Sequence, residues 1–270
     1  MKSLESVDSV RRNNVTEAGN RLARPMVFAH GFGCNQAVWR EVAPHFEADH
    51  RVVLFDHVGA GGSDLAAYDA GKYDSLDGYA SDLLEILEQL DLRDVVFVGH
   101  SVSAMIGVVA AGRDSSRFGA LVFVGPSPRY VDDGEYVGGF SQSDIEGMLL
   151  TLDANYLGWS NTMGPIIMGN PDRPELGAGL AASFCSVEPT IARHFAHVTF
   201  LSDNRADLEH ITVPTLVVQS RDDAIASEEV GEYVHAHIPG SELVVIDASG
   251  HLPILSGARQ VVDAIRGFLG

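Results

Sequence analysis

Three residue types, met in one order along the chain, could do chemistry together: Ser101, then the adjacent carboxylates Asp222 and Asp223, then His251. A serine hydroxyl is a weak nucleophile until a base takes its proton. The imidazole that does so needs a carboxylate to orient it and to stabilise its charged form. Ser101 lies in "GHSVS", residues 99–103, which matches four of the five places of the G-x-S-x-G turn that lifts a nucleophilic serine clear of a strand-to-helix junction. That turn needs tiny residues two before and two after the serine. Gly99 satisfies the first place, and Ser103 departs from the second while staying small. Downstream, "TLVVQSRDD" delivers both aspartates to the end of a β-branched run, and "ELVVIDASGH" delivers His251 to the loop after the next run. Neighbours in an extended segment point oppositely, so only one aspartate can face His251. A fourth element is "HGFG" at 30–33. The backbone N–H groups of Phe32 and Val102 are the expected donors to the oxyanion of an acyl-transfer intermediate.

The elements needed to hold these residues can be read from hydrophobic patterning. Continuous aliphatic runs at 26–30, 51–55, 95–99, 120–125, 215–220 and 242–247 have the character of strands covered on both faces. Between them, Leu76, Tyr79, Leu83, Ile86, Leu87 and Leu90 recur at helical spacing behind Ser75, an expected N-cap. Alternating strand and helix predicts a parallel α/β sheet whose carboxyl edge gathers Ser101, the aspartates and His251. The uncharged stretch "VVFVGHSVSAMIGVVAAG", 95–112, has the length of a membrane span. His100, Ser101 and Ser103 at its centre make it strand, sharp turn and helix instead. The alternation lapses between about 128 and 207, which reads as an inserted helical segment. The expected division is therefore a core of 1–127 and 208–270 with an insertion of 128–207.

Composition narrows the function classes. The formal charge is −19, and no basic stripe is present, so neither nucleic acid nor an anionic membrane surface is an expected partner. The two cysteines, Cys34 and Cys185, are too few for a disulfide framework and lack zinc-site spacing. With no signal-peptide pattern at the start, this predicts a cytoplasmic protein. Cys34 is expected to be a thiol in the pocket wall, His235 and His237 surface residues, and "GAGG" at 59–62 a turn without the full phosphate-binding fingerprint. No metal or cofactor is called for.

Longer segments carry a more specific signal. "HGFGCNQAVW", "DHVGAGGSD", "LDGYASDLLEILEQLDL", "VFVGHSVSAMIG", "GPSPRYVDD", "NYLGW", "FCSVEPTIARHFA" and "SDNRADL" together resemble the RsbQ-type α/β-hydrolases, bacterial regulators of stress sigma-factor activity, and the related plant karrikin and strigolactone receptors. The resemblance runs from about residue 24 to the end. It implies an α/β-hydrolase fold with a four-helix lid and a triad of Ser101, Asp222 and His251, with Ala226 in place of the family's usual proline four residues after the acid. It also implies a mostly apolar pocket for a small hydrophobic ligand, lined by Phe32, Val102, Phe140, Trp159, Met163, Phe200 and Ile225. Two functions follow as expectations. One is hydrolysis of a small ester or lactone. The other is ligand sensing with slow turnover, in which the lid engages a protein partner of the stress-response phosphatase type.

Overall fold

The computed structural model describes residues 8–270; positions 1–7, the start of the expected core range, lie outside the described residues. Seven strands form one sheet: β1 (Thr16–Gly19), β2 (Arg24–Ala29), β3 (His50–Phe55), β4 (Val95–His100), β5 (Phe118–Val124), β6 (Thr215–Asp222) and β7 (Glu242–Ser249), in the spatial order β1-β3-β2-β4-β5-β6-β7. All pairings are parallel except that of β1 with β3. Each aliphatic run is therefore a strand. The one strand the patterning does not announce is β1, whose "TEAG" is polar because an edge strand buries little.

Helices cover both faces, as a parallel sheet requires. Along the chain they are α1 (Ser9–Arg12), α2 (Leu76–Gln89), α3 (Val102–Arg113), α4 (Gln142–Ala154), α5 (Tyr156–Met168), α6 (Pro174–Cys185), α7 (Pro189–Phe200), α8 (Arg205–Leu208), α9 (Glu228–His237), α10 (Pro253–Ser256) and α11 (Ala258–Leu269). Ser75 occupies the N-cap position of α2, but its hydroxyl bonds the Asp77 carboxylate (3.1 Å) and no first-turn amide. Strand β4 is buried at every residue, and alternate side chains feed opposite cores: Val96 and Val98 join the α11 side with Val261 and Ile265, while Val95 and Phe97 join the α2 and α3 side with Leu83 and Ile106. Helices α4 to α7 all fall between β5 and β6. No helix among the described residues is long and apolar enough to cross a membrane.

Two contacts from the helices between β5 and β6 hold the site. The C-terminal carbonyl of Ile167 in α5 accepts a hydrogen bond from the His251 amide (2.9 Å), and Ser183 Oγ in α6 donates to the Gly33 carbonyl (2.8 Å). The inserted helices are thus bonded directly to the loops that carry "HGFG" and His251.

Candidate active site

Strand β4 ends at His100, and α3 begins at Val102, so Ser101 alone makes the turn. It does so at φ 57° and ψ −125°, a conformation that costs a residue with a Cβ and that persists because both flanking elements are buried. The tight return explains Gly99: a Cβ there would lie 2.6 Å from the Ser103 carbonyl oxygen and 2.8 Å from the Phe97 ring. Two residues beyond Ser101, a serine is accommodated.

Ser101 Oγ donates to His251 Nε2 at 2.7 Å, and His251 Nδ1–H donates to a carboxylate at 2.8 Å. That carboxylate belongs to Asp223, not to the expected Asp222. Strand β6 runs two residues further than its aliphatic run implies, with a register irregularity between Ser220 and Asp222, so Asp222 still pairs with Ser249 and its side chain turns to solvent. Asp223, the first residue past the strand, points the opposite way and its side chain is fully buried. Its second oxygen, Oδ1, accepts from the amides of Ile225 (2.8 Å) and Ala226 (3.1 Å), which fixes the carboxylate plane. Because Nδ1 carries the proton toward Asp223, Nε2 presents its lone pair to Ser101.

The amides of Phe32 and Val102 have no hydrogen-bond partner among the described residues. Phe32 is held by rings from three inserted helices: Trp159 (6.2 Å between centroids), Phe184 (5.8 Å), Phe195 (5.8 Å) and Phe200 (6.0 Å). Its loop is also tied from below. Ser103 Oγ donates to the His30 carbonyl at 2.5 Å, and His57 Nε2 lies 2.7 Å from the same hydroxyl. The His57 amide donates to His30 Nε2 (3.0 Å), and His30 Nδ1 donates to the Gly31 carbonyl (2.9 Å). The hydroxyl at 103 therefore joins the start of α3 to the "HGFG" loop, which a glycine at that place could not do.

Burial depresses the pKa of His30 and pushes that of His57 well down; it drives His100 down to about 3, so all three stay neutral near neutral pH. His100 Nε2 donates to the His251 carbonyl at 2.7 Å, a second brace on the loop that carries His251. Cys34 is buried in the wall, and its thiol is pushed up to about 12 by desolvation, which makes it inert as a nucleophile.

The cavity at Ser101 has a volume of about 30 Å³ and is walled by Phe32, Cys34, His100, Tyr130, Ile167, Leu180, Phe184, Thr199, Phe200, Ile225, His251 and Leu252. Of the expected wall, Phe32, Phe200 and Ile225 are present. Trp159 instead backs the wall, stacked 5.5 Å from Phe184. Met163 and Phe140 are partly buried against the core without reaching the cavity. The Val102 side chain packs into the core on the α2 side. Helical side chains at neighbouring positions diverge by about 100°, so the face each presents depends on how α5 is seated, which spacing alone does not reveal. Tyr130, Thr199, Ile167, Leu180 and Phe184 were not singled out by sequence; the last three are ordinary apolar residues of helices whose docking decides their direction. Among the described residues, no cluster of side chains suits a metal ion.

A family model for the alpha/beta hydrolase fold matches residues 24–258. The chain is 36% identical to a strigolactone esterase of Arabidopsis thaliana, covering 93% of both chains, and 37% identical to a Karrikin insensitive 2 receptor of Petunia hybrida, covering 89% of both. The solved structure of a hydrolase from Oleispira antarctica superposes with a TM-score of 0.94 at 40% identity, over 97% of this chain and 96% of that one. Strand order, the strained serine turn and these likenesses agree, and the chain belongs to the α/β-hydrolase family.

Proposed function

We propose that the protein is a serine hydrolase of small, mostly apolar, neutral esters or lactones. The observation that carries this reading is the continuous relay from Ser101 Oγ through His251 to the buried Asp223, opening on an apolar cavity. In the reaction Ser101 Oγ attacks the carbonyl carbon while His251 Nε2 takes its proton. Asp223 stabilises the resulting imidazolium, and the amides of Phe32 and Val102 receive the oxyanion. His251 then returns the proton to the departing alkoxide, and a water molecule, deprotonated by the same nitrogen, releases the acid from Ser101. No aspartate, glutamate, lysine or arginine lines the cavity, so a charged substrate would be buried unpaired.

A fluorophosphonate probe tests this. We expect one adduct at Ser101 and none on a folded Ser101→Ala variant; labelling at another residue, or none, would overturn the assignment.

A second reading is favoured by the closure of the site. A cavity of about 30 Å³ has room for only a water or two, and Ser101 and His251 are 4% and 5% exposed, so a ligand larger than that enters only if α5 to α7 move. We infer that these helices act as a lid, within the span 128–207, and that ligand binding shifts their arrangement. Leu150 on α4 and Leu157 and Ile166 on α5 are exposed and offer apolar contacts for a protein partner, as in the finer resemblance to RsbQ-type regulators. The plant relatives' names as receptors support such a sensing role here, with slow turnover. Two free thiols fit a reducing compartment such as the cytoplasm.

A further inference from the structure

Two hydroxyls in the cavity wall have no task in the triad. Tyr130 lies between β5 and α4, Thr199 lies in α7, and both are 1% exposed. Both line the cavity with Ser101 and His251. Neither Tyr130 Oη nor Thr199 Oγ1 makes a hydrogen bond of ordinary geometry among the described residues, although Tyr130 Oη lies near enough to Ser101 to interact with its hydroxyl. A helical threonine or serine with no other partner ordinarily returns its hydroxyl to the carbonyl one turn back. Thr151, Ser160 and Thr162 in the neighbouring helices all do so, at 2.8 to 3.0 Å. Thr199 does not. Buried polar groups in folded proteins nearly always find a partner, and two left open on one otherwise apolar cavity point to a partner that arrives with the ligand.

We propose that Tyr130 and Thr199 form a hydroxyl subsite for a second oxygen of the ligand, an ether, carbonyl or hydroxyl oxygen separate from the scissile carbonyl. The proposal rests on the hydrolase reading for the identity of the scissile group. Burial raises the Tyr130 phenol, so it remains a protonated donor throughout the neutral range. Thr199 can donate or accept. A ligand that is all hydrocarbon around its ester would leave both hydroxyls unpaired. Discrimination against a missing polar partner is far stronger than discrimination by a methylene. The substrate class is thereby narrowed to oxygenated small esters or lactones, and the two residues determine specificity without taking part in bond making.

The test uses δ-valerolactone and p-dioxanone, rings of equal size in which one methylene is replaced by oxygen. Dissociation constants for both are measured in a Ser101→Ala background, where neither is consumed, with and without Thr199→Val, Thr199→Ser or Tyr130→Phe. The oxygenated ring is expected to bind about tenfold more tightly. Thr199→Ser should keep that preference, and Thr199→Val should bring the ratio close to unity. A ratio unchanged by Thr199→Val and by Tyr130→Phe, or a parent that favours the all-carbon ring, would overturn the proposal. Because this readout needs no nucleophile, it separates from the fluorophosphonate experiment. A Ser101 that resists labelling, with the ratio intact, defeats the hydrolase reading and leaves the subsite standing; a labelled Ser101 with an unmoved ratio defeats the subsite alone.

Discussion

Ser101 and Ser103, two residues apart, each meet a histidine at the same oxygen-to-nitrogen distance of 2.7 Å, and only one of these pairs can make a nucleophile. At Ser101 the imidazole has a carboxylate behind it. Nδ1 is protonated toward Asp223, so Nε2 is an acceptor and the serine proton has somewhere to go. At Ser103 the direction is reversed. The His30 carbonyl can only accept, so Ser103 donates to it and receives the Nε2–H of His57; the nitrogen that would have to act as base already carries a proton. His57 Nδ1 has no partner among the described residues, and no carboxylate bonds either ring nitrogen of His57. Ser103 is fully buried. Proximity of serine to histidine is thus insufficient; proton polarity, set one residue further out, separates a reactive pair from a structural one.

The largest effect expected from this contrast is at Ser101. Replacing it by alanine should lower ester turnover by about 10⁶-fold, measured as kcat on p-nitrophenyl acetate. An equal loss on Ser103→Ala, or fluorophosphonate adducts at Ser103, would erase the distinction. Next comes the outer carboxylate. Asp223→Asn should cost about 10⁴-fold in kcat by presenting the wrong tautomer to Ser101, whereas Asp222→Asn, exposed and bonded only weakly to Ser249 Oγ (3.4 Å), should change it by less than about threefold. The reverse order would return the acid to Asp222.

A smaller effect is expected at the structural pair. Ser103→Ala removes the shared hydroxyl and leaves the His57 Nε2–H and the His30 carbonyl only their longer contact with each other (3.1 Å), and should destabilise the fold by about 1 kcal/mol in urea unfolding. Loosening of the "HGFG" loop should also lower kcat about tenfold with KM nearly constant, since an oxyanion donor serves the transition state more than the ground state. A change confined to KM would contradict that role. The smallest signal is thermodynamic. His57 has a folded pKa pushed well below the unfolded value of about 6.5, so its contribution is complete above that pH and is lost as pH falls, by about 1.4 kcal/mol per unit. His57→Gln keeps an N–H donor but cannot titrate. It should flatten the dependence of unfolding free energy on pH below 6.5 by about that amount; an unchanged slope would mean that His57 is charged in the fold.

Legibility in the sequence followed burial geometry. Runs such as "VVFVG" and "TLVVQS" are strands because both sides of a parallel sheet are covered, and that constraint is written in composition. Ser101 and His251 could be placed because a strained turn and a strand-end loop have local signatures. The acid was misplaced by one residue because the exact end of β6 depends on a register irregularity against β7, a property of the pair of strands and not of either alone. Trp159 and Met163 were expected in the wall and lie behind it, since the faces of α5 are assigned by its docking onto Phe184 and Phe32. Ser103 looked like a blemish in a motif; its hydroxyl's task needs His30 and His57, which are remote in sequence.

The bond from the His251 amide to Ile167 has a consequence for engineering. Helix α5 ends in Gly169, in the left-handed conformation, seated against Gly250, and Asn170 Nδ2 reaches across to the Ser249 carbonyl (2.8 Å). The insertion is therefore not an interchangeable cassette that a designer could swap between family members to change selectivity while the machinery below stays fixed. A graft that ends before Ile167 or omits the Gly169–Asn170 corner would take away the strut beneath the base. Recombination breakpoints between relatives should be tolerated on the α4 side of the insertion and penalised at its α5 corner.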